Sequence, residues 1–456
     1  MTTARRSRPE WRALPVESGI KYLGIVEQIR NAIRGGALRA GDRLPTHREM
    51  AKDVGVTIST VTQAYAEAAR LHLISGEIGR GTFVLADSAD IQLFTSTAST
   101  PTTSSHVVDL SANTPAVNYA SNDFERGLEL LARGHIEEGY PSASTLLRGC
   151  LAFETLLHSQ GVPRSANEIA LTAGAQHALL VALLVVAGPG TRVLAEELTF
   201  PGLKAVARQL RIELVPVRMD EFGIIPADLD RQAKRTSATT LVCVPVLQNP
   251  IGASMDAERL TAIASVARRR LLTVIEDDVY RALTDRRSLS SELPEQTLLI
   301  SSTSKTIEPA LRLGAVSGPE HLLSPIKRET HMTSWMVSTP TIELFTRWVH
   351  DGTIERRIAW QRAEVEARWR IANNVFGRST QLPAPHRFVG LTRSPDRIEN
   401  ELTHAGLIVA TSTTLGIGPS PPKGLRLSLT AASSRAVLQE ALVRTKAILG
   451  TRMVKP

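Results

Sequence analysis

Two hydrophobic rhythms divide the chain: helical spacing in roughly the first seventy residues, then short continuous apolar runs beyond residue 107. From Tyr22 to Arg34, Ile25, Ile29 and Ile33 fall on one stripe, which predicts an amphipathic helix. The stretch LPTHREMAKDVGVTISTVTQAYAEAARLHLI predicts two short helices joined at Gly55. Thr46 opens the first, with Glu49 three residues on as in a capping box, and the second turns Val61, Ala64, Tyr65, Ala68 and Leu71 inward. LISGEIGRGTFV then reads as two strands with Gly-Arg-Gly at the tip. Ser and Thr dominate residues 87–106 and periodicity vanishes there, as in a linker. Beyond it, strands such as TTLVCVPV and LLTVIEDD alternate with helical stretches such as AQHALLVALLVVAG and AERLTAIASVARRR, which predicts an α/β domain on a mostly parallel sheet. The Pro-rich GPSPPKG at residues 418–424 reads as a local loop, and no internal repeat is evident.

Composition narrows the class. At 456 residues the chain exceeds one ordinary core, so the expected division is a domain at 1–86, the linker, and a domain at 107–456. No apolar run approaches the roughly 18 residues of a membrane span, and the basic start MTTARRSRPEW lacks the apolar stretch of a secretory signal, so a soluble cytoplasmic protein is expected. Cys150 and Cys243 stand far apart and read as small buried hydrophobes, with no disulfide and no metal-ligand cluster. Charge is unevenly spread: residues 1–86 hold 13 Lys and Arg against 8 Asp and Glu, a net +5 of the formal total of +8. A small basic domain suits attraction to a polyanion.

The outer face of the second short helix carries Ser59, Thr60, Thr62 and Gln63, short polar groups able to approach phosphates and base edges in a major groove. A cation between glycines at a hairpin tip can enter a minor groove. Helix, helix-turn-helix and Gly-Arg-Gly wing, with Leu-Pro-x-x-Arg at the middle helix, make residues 21–85 resemble the winged helix-turn-helix domain of the GntR family of bacterial regulators, an α+β fold. The resemblance implies DNA contacts by Thr46 and Arg48, by Thr57, Ser59, Thr60 and Thr62 around the recognition helix, and by Arg80 and Gly81 in the wing. Ile58 departs from the pattern, standing where the family often has a polar or basic residue.

In the large domain, LLISSTSKTIEPALRLGAV (298–316) ends an apolar strand in hydroxyls, Lys305 and, seven residues later, Arg312. Alone it could be a surface turn with two solvated cations. VLQNPIGA supplies Asn249 at another strand end, VIEDDVY supplies Asp277 and Tyr280, and LTAGAQHAL supplies a small-residue turn opening a helix. Carboxyl ends of parallel strands converge on one crevice, where such sheets bind ligands.

Over roughly residues 107–450 this constellation resembles the fold-type I pyridoxal phosphate enzymes, the aspartate aminotransferase family. The resemblance gives Lys305 the Schiff-base role, Asp277 the pairing with the pyridine nitrogen, Tyr280 and Asn249 hydrogen bonds to the ring hydroxyl, and Phe200 the stacking on the ring. It assigns the phosphate to the helix opening at Gly174, Ala175 and Gln176, to Ser302 and Ser304, and to Arg312, with Tyr140 reaching in from a neighbouring subunit. Ala173 and Ala175 replace hydroxyl residues common there, leaving more of the phosphate to amides, Gln176 and Arg312. Arg426 in GLRLSL fits the arginine that grips an amino-acid carboxylate; an exposed strand cation is its other reading.

Together the halves resemble the MocR subgroup of GntR regulators, which implies a cytoplasmic homodimer, head-to-tail, that binds operator DNA, holds pyridoxal 5'-phosphate on Lys305 and responds to an amino acid or amine. The rival reading is a working aminotransferase with a DNA-binding appendage.

Overall fold

The computed structural model describes residues 11–15, 21–34, 37–38, 42–70, 73–77, 81–84, 107–134 and 136–454. Contacts divide the chain into two compact units, 1–105 and 106–456. The proposed linker 87–106 and Leu71 lie outside the described residues.

The first unit holds helices α1 (Lys21–Arg34), α2 (His47–Val54) and α3 (Ile58–Arg70), then the antiparallel pair β1 (Ile74–Glu77) and β2 (Gly81–Val84). The capping box forms: the Glu49 amide donates to Thr46 Oγ1 at 3.3 Å and the Thr46 amide to Glu49 Oε2 at 2.8 Å. Gly55, at φ +72°, stops α2 with its amide on the Ala51 carbonyl and turns the chain into α3. Ile25 and Ile29 meet Val61, Ala64, Tyr65 and Ala68 in one core, with Ile33 at its margin. Tyr65 satisfies its buried hydroxyl on the Pro45 carbonyl at 2.6 Å, which fixes α3 against the entry of α2.

The second unit is built on a seven-stranded sheet of β3 (Ile169–Thr172), β4 (Arg192–Glu196), β5 (Glu213–Val217), β6 (Thr240–Cys243), β7 (Thr273–Asp277), β8 (Thr297–Ser302) and β9 (Gly314–Ser317). Their order is β3-β9-β8-β7-β6-β4-β5, and only β9 runs antiparallel to its neighbours. Helices cover both faces, which is why β6 and β8 are buried at every position rather than alternately. On one face α4 (Ala175–Val186), apolar nearly all round, packs on Val242, Ile275, Ile300 and Val316. On the other, Leu241, Cys243 and Val274 meet Ile263 and Ala267. Cys150 and Cys243 are both free thiols, the second fully buried. Among the described residues no helix is long and apolar enough to cross a membrane.

A smaller sheet is formed by β10 (His386–Gly390), β11 (Ala410–Thr411) and β12 (Gly424–Ser428), with β12 central. Its strands alternate: Leu425, Leu427 and Leu429 enter a core with Trp369 and Ala372 of α5 (Thr353–Phe376), so Arg426 and Ser428 take the opposite face. His386 is the register partner of Ser428 and shares that face. Residues 108–111 tie this sheet to the site: Val108–Asp109 pairs with Leu407–Ile408, and the Ser428 amide donates to the Leu110 carbonyl at 2.8 Å.

Candidate functional site

Parallel pairing puts the carboxyl ends of β4, β6, β7 and β8 on one edge, and the side chains in question follow them. Asp277 is the last residue of β7, and Lys305 stands three residues beyond β8. The Lys305 ammonium donates to the Asn113 carbonyl. Burial lowers its pKa to about 8, aided by Arg426 and Arg312 and opposed by Asp277. Burial likewise raises Asp277 to about 6, against a hydrogen bond from the Val279 amide and the attraction of Lys305. Asp277 Oδ1 is buried with no hydrogen-bond partner.

Tyr280 is 3% exposed, and its hydroxyl accepts from Asn113 Nδ2. Burial raises its pKa further above the usual tyrosine range. Asn249 sits in the turn after β6, where Oδ1 accepts from Arg426 Nη1 at 2.8 Å. Arg426 is 3% exposed, so it is no solvated strand cation. Its Nη2 donates to the Ser111 carbonyl, its Nε is buried and unpartnered, and burial brings its pKa down to about 10. Phe200, half-buried, follows β4 as the residue before the helix Pro201–Gln209.

A second corner forms where α4 begins. Gly174 is its N-cap, at φ +83°, with no side chain capping the helix, so the first turn of α4 leaves amides to an outside acceptor. A Cβ at Gly174 would lie 2.9 Å from Arg312 Nη2, so only glycine lets the guanidinium approach this closely. Arg312 reaches the Ser304 hydroxyl and the Ala173 carbonyl, both at 3.4 Å. Ser302 turns back into the strand loop, donating to the Leu313 carbonyl at 3.4 Å and accepting from the Ser304 amide at 3.1 Å. Gln176 sends its side-chain amide to the Gly202 carbonyl at 3.0 Å, leaving its backbone as its contribution to this corner. Tyr140 is not in the site of its own chain: it is 71% exposed, with its ring 5.7 Å from that of Trp335.

This donor set fits pyridoxal phosphate on three counts. The orphaned Asp277 oxygen is an acceptor awaiting a protonated ring nitrogen. The uncapped helix start beside Arg312 is a cradle for phosphate. Lys305, Arg312 and Arg426 outnumber Asp277 in charge, which suits a ligand carrying two or more negative charges. Sequence reasoning missed Asn113, Gln248 and His386, whose partners lie 138 to 273 residues away in the chain. No local spacing announces such contacts.

In the first unit Thr57 Oγ1 bonds Ser59 Oγ at 2.9 Å and Thr60 Oγ1 at 2.8 Å, clustering three hydroxyls at the start of α3. Thr62 bonds back to the Ile58 carbonyl at 3.0 Å. Arg48, Thr57, Ser59 and Thr62 are exposed, as is Thr46 beside them in the capping box, and Ile58 is 49% exposed among them. Gly81 opens β2; Arg80 lies outside the described residues.

The chain matches the family described as Aminotransferase class I and II over residues 105–444, and that described as Bacterial regulatory proteins, gntR family, over residues 21–84. It is 27% identical over 443 residues to the uncharacterized HTH-type transcriptional regulator YdeF of Bacillus subtilis, with 94% of each protein covered. With the vitamin B6 salvage pathway transcriptional repressor PtsJ of Salmonella typhimurium it shares 26% identity over 412 residues, covering 89% of this chain and 93% of that protein. An archaeal alanine:glyoxylate aminotransferase has the same fold, with a TM-score of 0.71 at 18% identity over 83% of this chain and 98% of that one. Aminotransferases of class I and II are pyridoxal phosphate-dependent as a family. The chain belongs to the aminotransferase class I and II family and carries a gntR-family domain ahead of it, the two-part organisation of the MocR subgroup of regulators.

Proposed function

We propose that this protein is a transcription regulator that binds operator DNA through residues 1–86 and holds pyridoxal 5'-phosphate in residues 107–456, with 87–106 as linker. The observation that carries this reading is that Lys305 and Asp277 are both buried, with an unpartnered Asp277 oxygen, in the same chain as a helix-turn-helix whose exposed face is polar apart from Ile58. The relatives named as transcriptional regulators, one of them a repressor of the vitamin B6 salvage pathway, support it.

Pyridoxal phosphate, when bound, supplies an aldehyde carbon with which primary amines condense reversibly and a ring that withdraws electrons. Lys305 is its covalent anchor. With a pKa of about 8, about a quarter of the Lys305 amines are neutral at pH 7.5, against about one in a thousand for an ordinary lysine. Asp277 holds the proton on the ring nitrogen, and Tyr280 and Asn249 hold the ring oxygen. Phe200 covers one ring face. Gly174, Ala175 and Gln176 offer amides to the phosphate, Ser304 and Arg312 a hydroxyl and a guanidinium, with Ser302 positioning Ser304. Tyr140 of a second copy completes the phosphate site in a head-to-tail homodimer.

With the cofactor bound, the effector's amine would meet the site that Lys305 occupies, and Arg426 would grip the carboxylate of an amino-acid effector. Arg426 has donors to spare for this, its Nε being unpartnered while Nη1 and Nη2 hold Asn249 and Ser111, and the effector shifts the protein toward whichever conformation lets those donors meet it best. Thr46, Arg48, Thr57, Ser59, Thr60, Thr62, Arg80 and Gly81 are the proposed DNA-contact residues. Lys305→Ala is expected to abolish the yellow absorbance and the effector response while DNA binding without effector persists; an unchanged response would refute the sensor. Steady transamination that survives deletion of residues 1–86 with no effector-dependent DNA binding would instead favour the aminotransferase.

A further inference from the structure

We infer that Asn113 and His386 are positioning residues that set the direction of the Tyr280 hydroxyl, making it a hydrogen-bond donor toward the ring oxygen. The inference rests on the cofactor reading above, and it begins from a chain of donors and acceptors with one consistent assignment. His386 is fully buried, and its Nε2 lies 2.9 Å from the Gln248 carbonyl, which can only accept; Nε2 therefore carries the hydrogen. With one hydrogen on the ring, Nδ1 is an acceptor, and it lies 3.4 Å from Asn113 Nδ2. The same Asn113 nitrogen meets the Tyr280 oxygen, so its two hydrogens serve His386 and Tyr280. Asn113 Oδ1 faces the Ser428 hydroxyl at 3.4 Å, which donates to it. Because the tyrosine oxygen receives a hydrogen from Asn113, its own hydrogen points elsewhere, into the crevice at the strand ends.

The opposite assignment fails at His386. Rotating the Asn113 amide would aim its oxygen at Tyr280 and take the tyrosine hydrogen away from the crevice. It would also require a hydrogen on His386 Nδ1 and withdraw the one given to Gln248, unless the ring were charged. A charged ring is disfavoured: burial leads, Arg426 and Lys305 repel it, the Gln248 carbonyl alone opposes them, and the pKa falls to about 3. Gln248 is itself anchored: its side-chain amide donates to Glu196 Oε2 at 2.9 Å and to the Leu198 carbonyl at 2.8 Å. Its carbonyl also accepts from the Gly252 amide across the turn that bears Asn249. The strand ends bearing Phe200 and Asn249 thus share one reference point with the residue that orients Tyr280.

The primary test uses the cofactor-free protein with nitrogen-15 histidine, the resonance being identified by its loss in His386→Gln. Long-range proton–nitrogen correlation should show Nε2 protonated and Nδ1 bare, unchanged from pH 5 to pH 8. A hydrogen on Nδ1, or titration of the ring within that range, would overturn the inference. The second test reads the loaded protein. Asn113→Asp replaces the donor by an acceptor, turns the Tyr280 hydrogen away from the ring oxygen, and should raise the pH midpoint of the lysine-bound chromophore by about one unit. His386→Leu should move it the same way and His386→Gln, which retains an acceptor, should restore most of it. Loss of stability without movement of the midpoint would reduce both residues to structural supports. If the wild-type protein shows no yellow chromophore, the cofactor reading falls, while the histidine tautomer still decides the donor chain.

Discussion

Replacing Asp277 by Asn separates what this residue does for the fold from what it does for the cofactor. In the folded chain the carboxyl keeps its proton up to about pH 6, whereas its ordinary value is 3.8. Between these values the folded state binds more protons than the unfolded state, so raising the pH removes stability until the loss is complete above pH 6. The gap of roughly two units corresponds to about 3 kcal/mol. Asn cannot ionise and leaves one unpartnered polar atom where Asp left another. It also removes the attraction felt by Lys305, which reduces the gain. Cofactor-stripped Asp277→Asn should therefore be about 1–3 kcal/mol more stable than wild type at pH 7.5 and nearly equal to it below pH 4. Thermal melts of the stripped proteins at both pH values read this directly. Melts of the loaded proteins should reverse the order, because binding stabilises in proportion to affinity and the ring nitrogen has lost its charged partner. A stripped variant less stable than wild type at pH 7.5, or a difference that ignores pH, would refute the reasoning.

Arg48→Ala should weaken binding to specific and random DNA alike and reduce the slope of log affinity against log salt by about 1; an unchanged slope would remove Arg48 from the interface. Gly174→Ala forces a Cβ to within 2.9 Å of Arg312 and should cost about tenfold in affinity for pyridoxal phosphate but little for pyridoxal, measured by absorbance titration. The rate of cofactor capture, followed by stopped-flow absorbance, should rise with pH and level off above about 8, as the Lys305 amine loses its proton. Arg426→Leu takes away a neighbouring cation and should move that midpoint upward.

What could be read in the sequence was whatever local chemistry dictates. The Thr46 and Glu49 capping box, the α3 core positions Val61, Ala64, Tyr65 and Ala68 and the buried runs of β6, β7 and β8 follow from spacing alone, and each has the form the spacing predicts. The alternation of β12 sends Arg426 away from Leu425 and Leu427 and buries it, where the sequence left an exposed strand cation open. What spacing does not carry is how a side chain turns once it is placed. Gln176 and Ser302 sit beside the helix start and the lysine strand, yet Gln176 spends its side-chain amide on Gly202 and Ser302 its hydroxyl on Leu313. The single antiparallel strand β9, which brings Arg312 back to Gly174, follows from long-range pairing with β3 and β8. Asn113, Gln248 and His386 meet only after three distant segments have packed, so nothing near them in sequence marks them out.

In a sensor of this kind occupancy at Lys305 is coupled to occupancy of DNA, and linkage makes the coupling quantitative. If an amine or amino acid changes DNA affinity by some factor, DNA must change the affinity for that ligand by the same factor. The decisive measurement is the ligand affinity, read from the absorbance of the loaded protein, with and without saturating operator DNA, set beside the DNA affinity with and without saturating ligand. Two equal factors are expected, about five or more, both lost in Lys305→Ala. A ligand that saturates the absorbance change while leaving DNA affinity untouched would contradict the coupling.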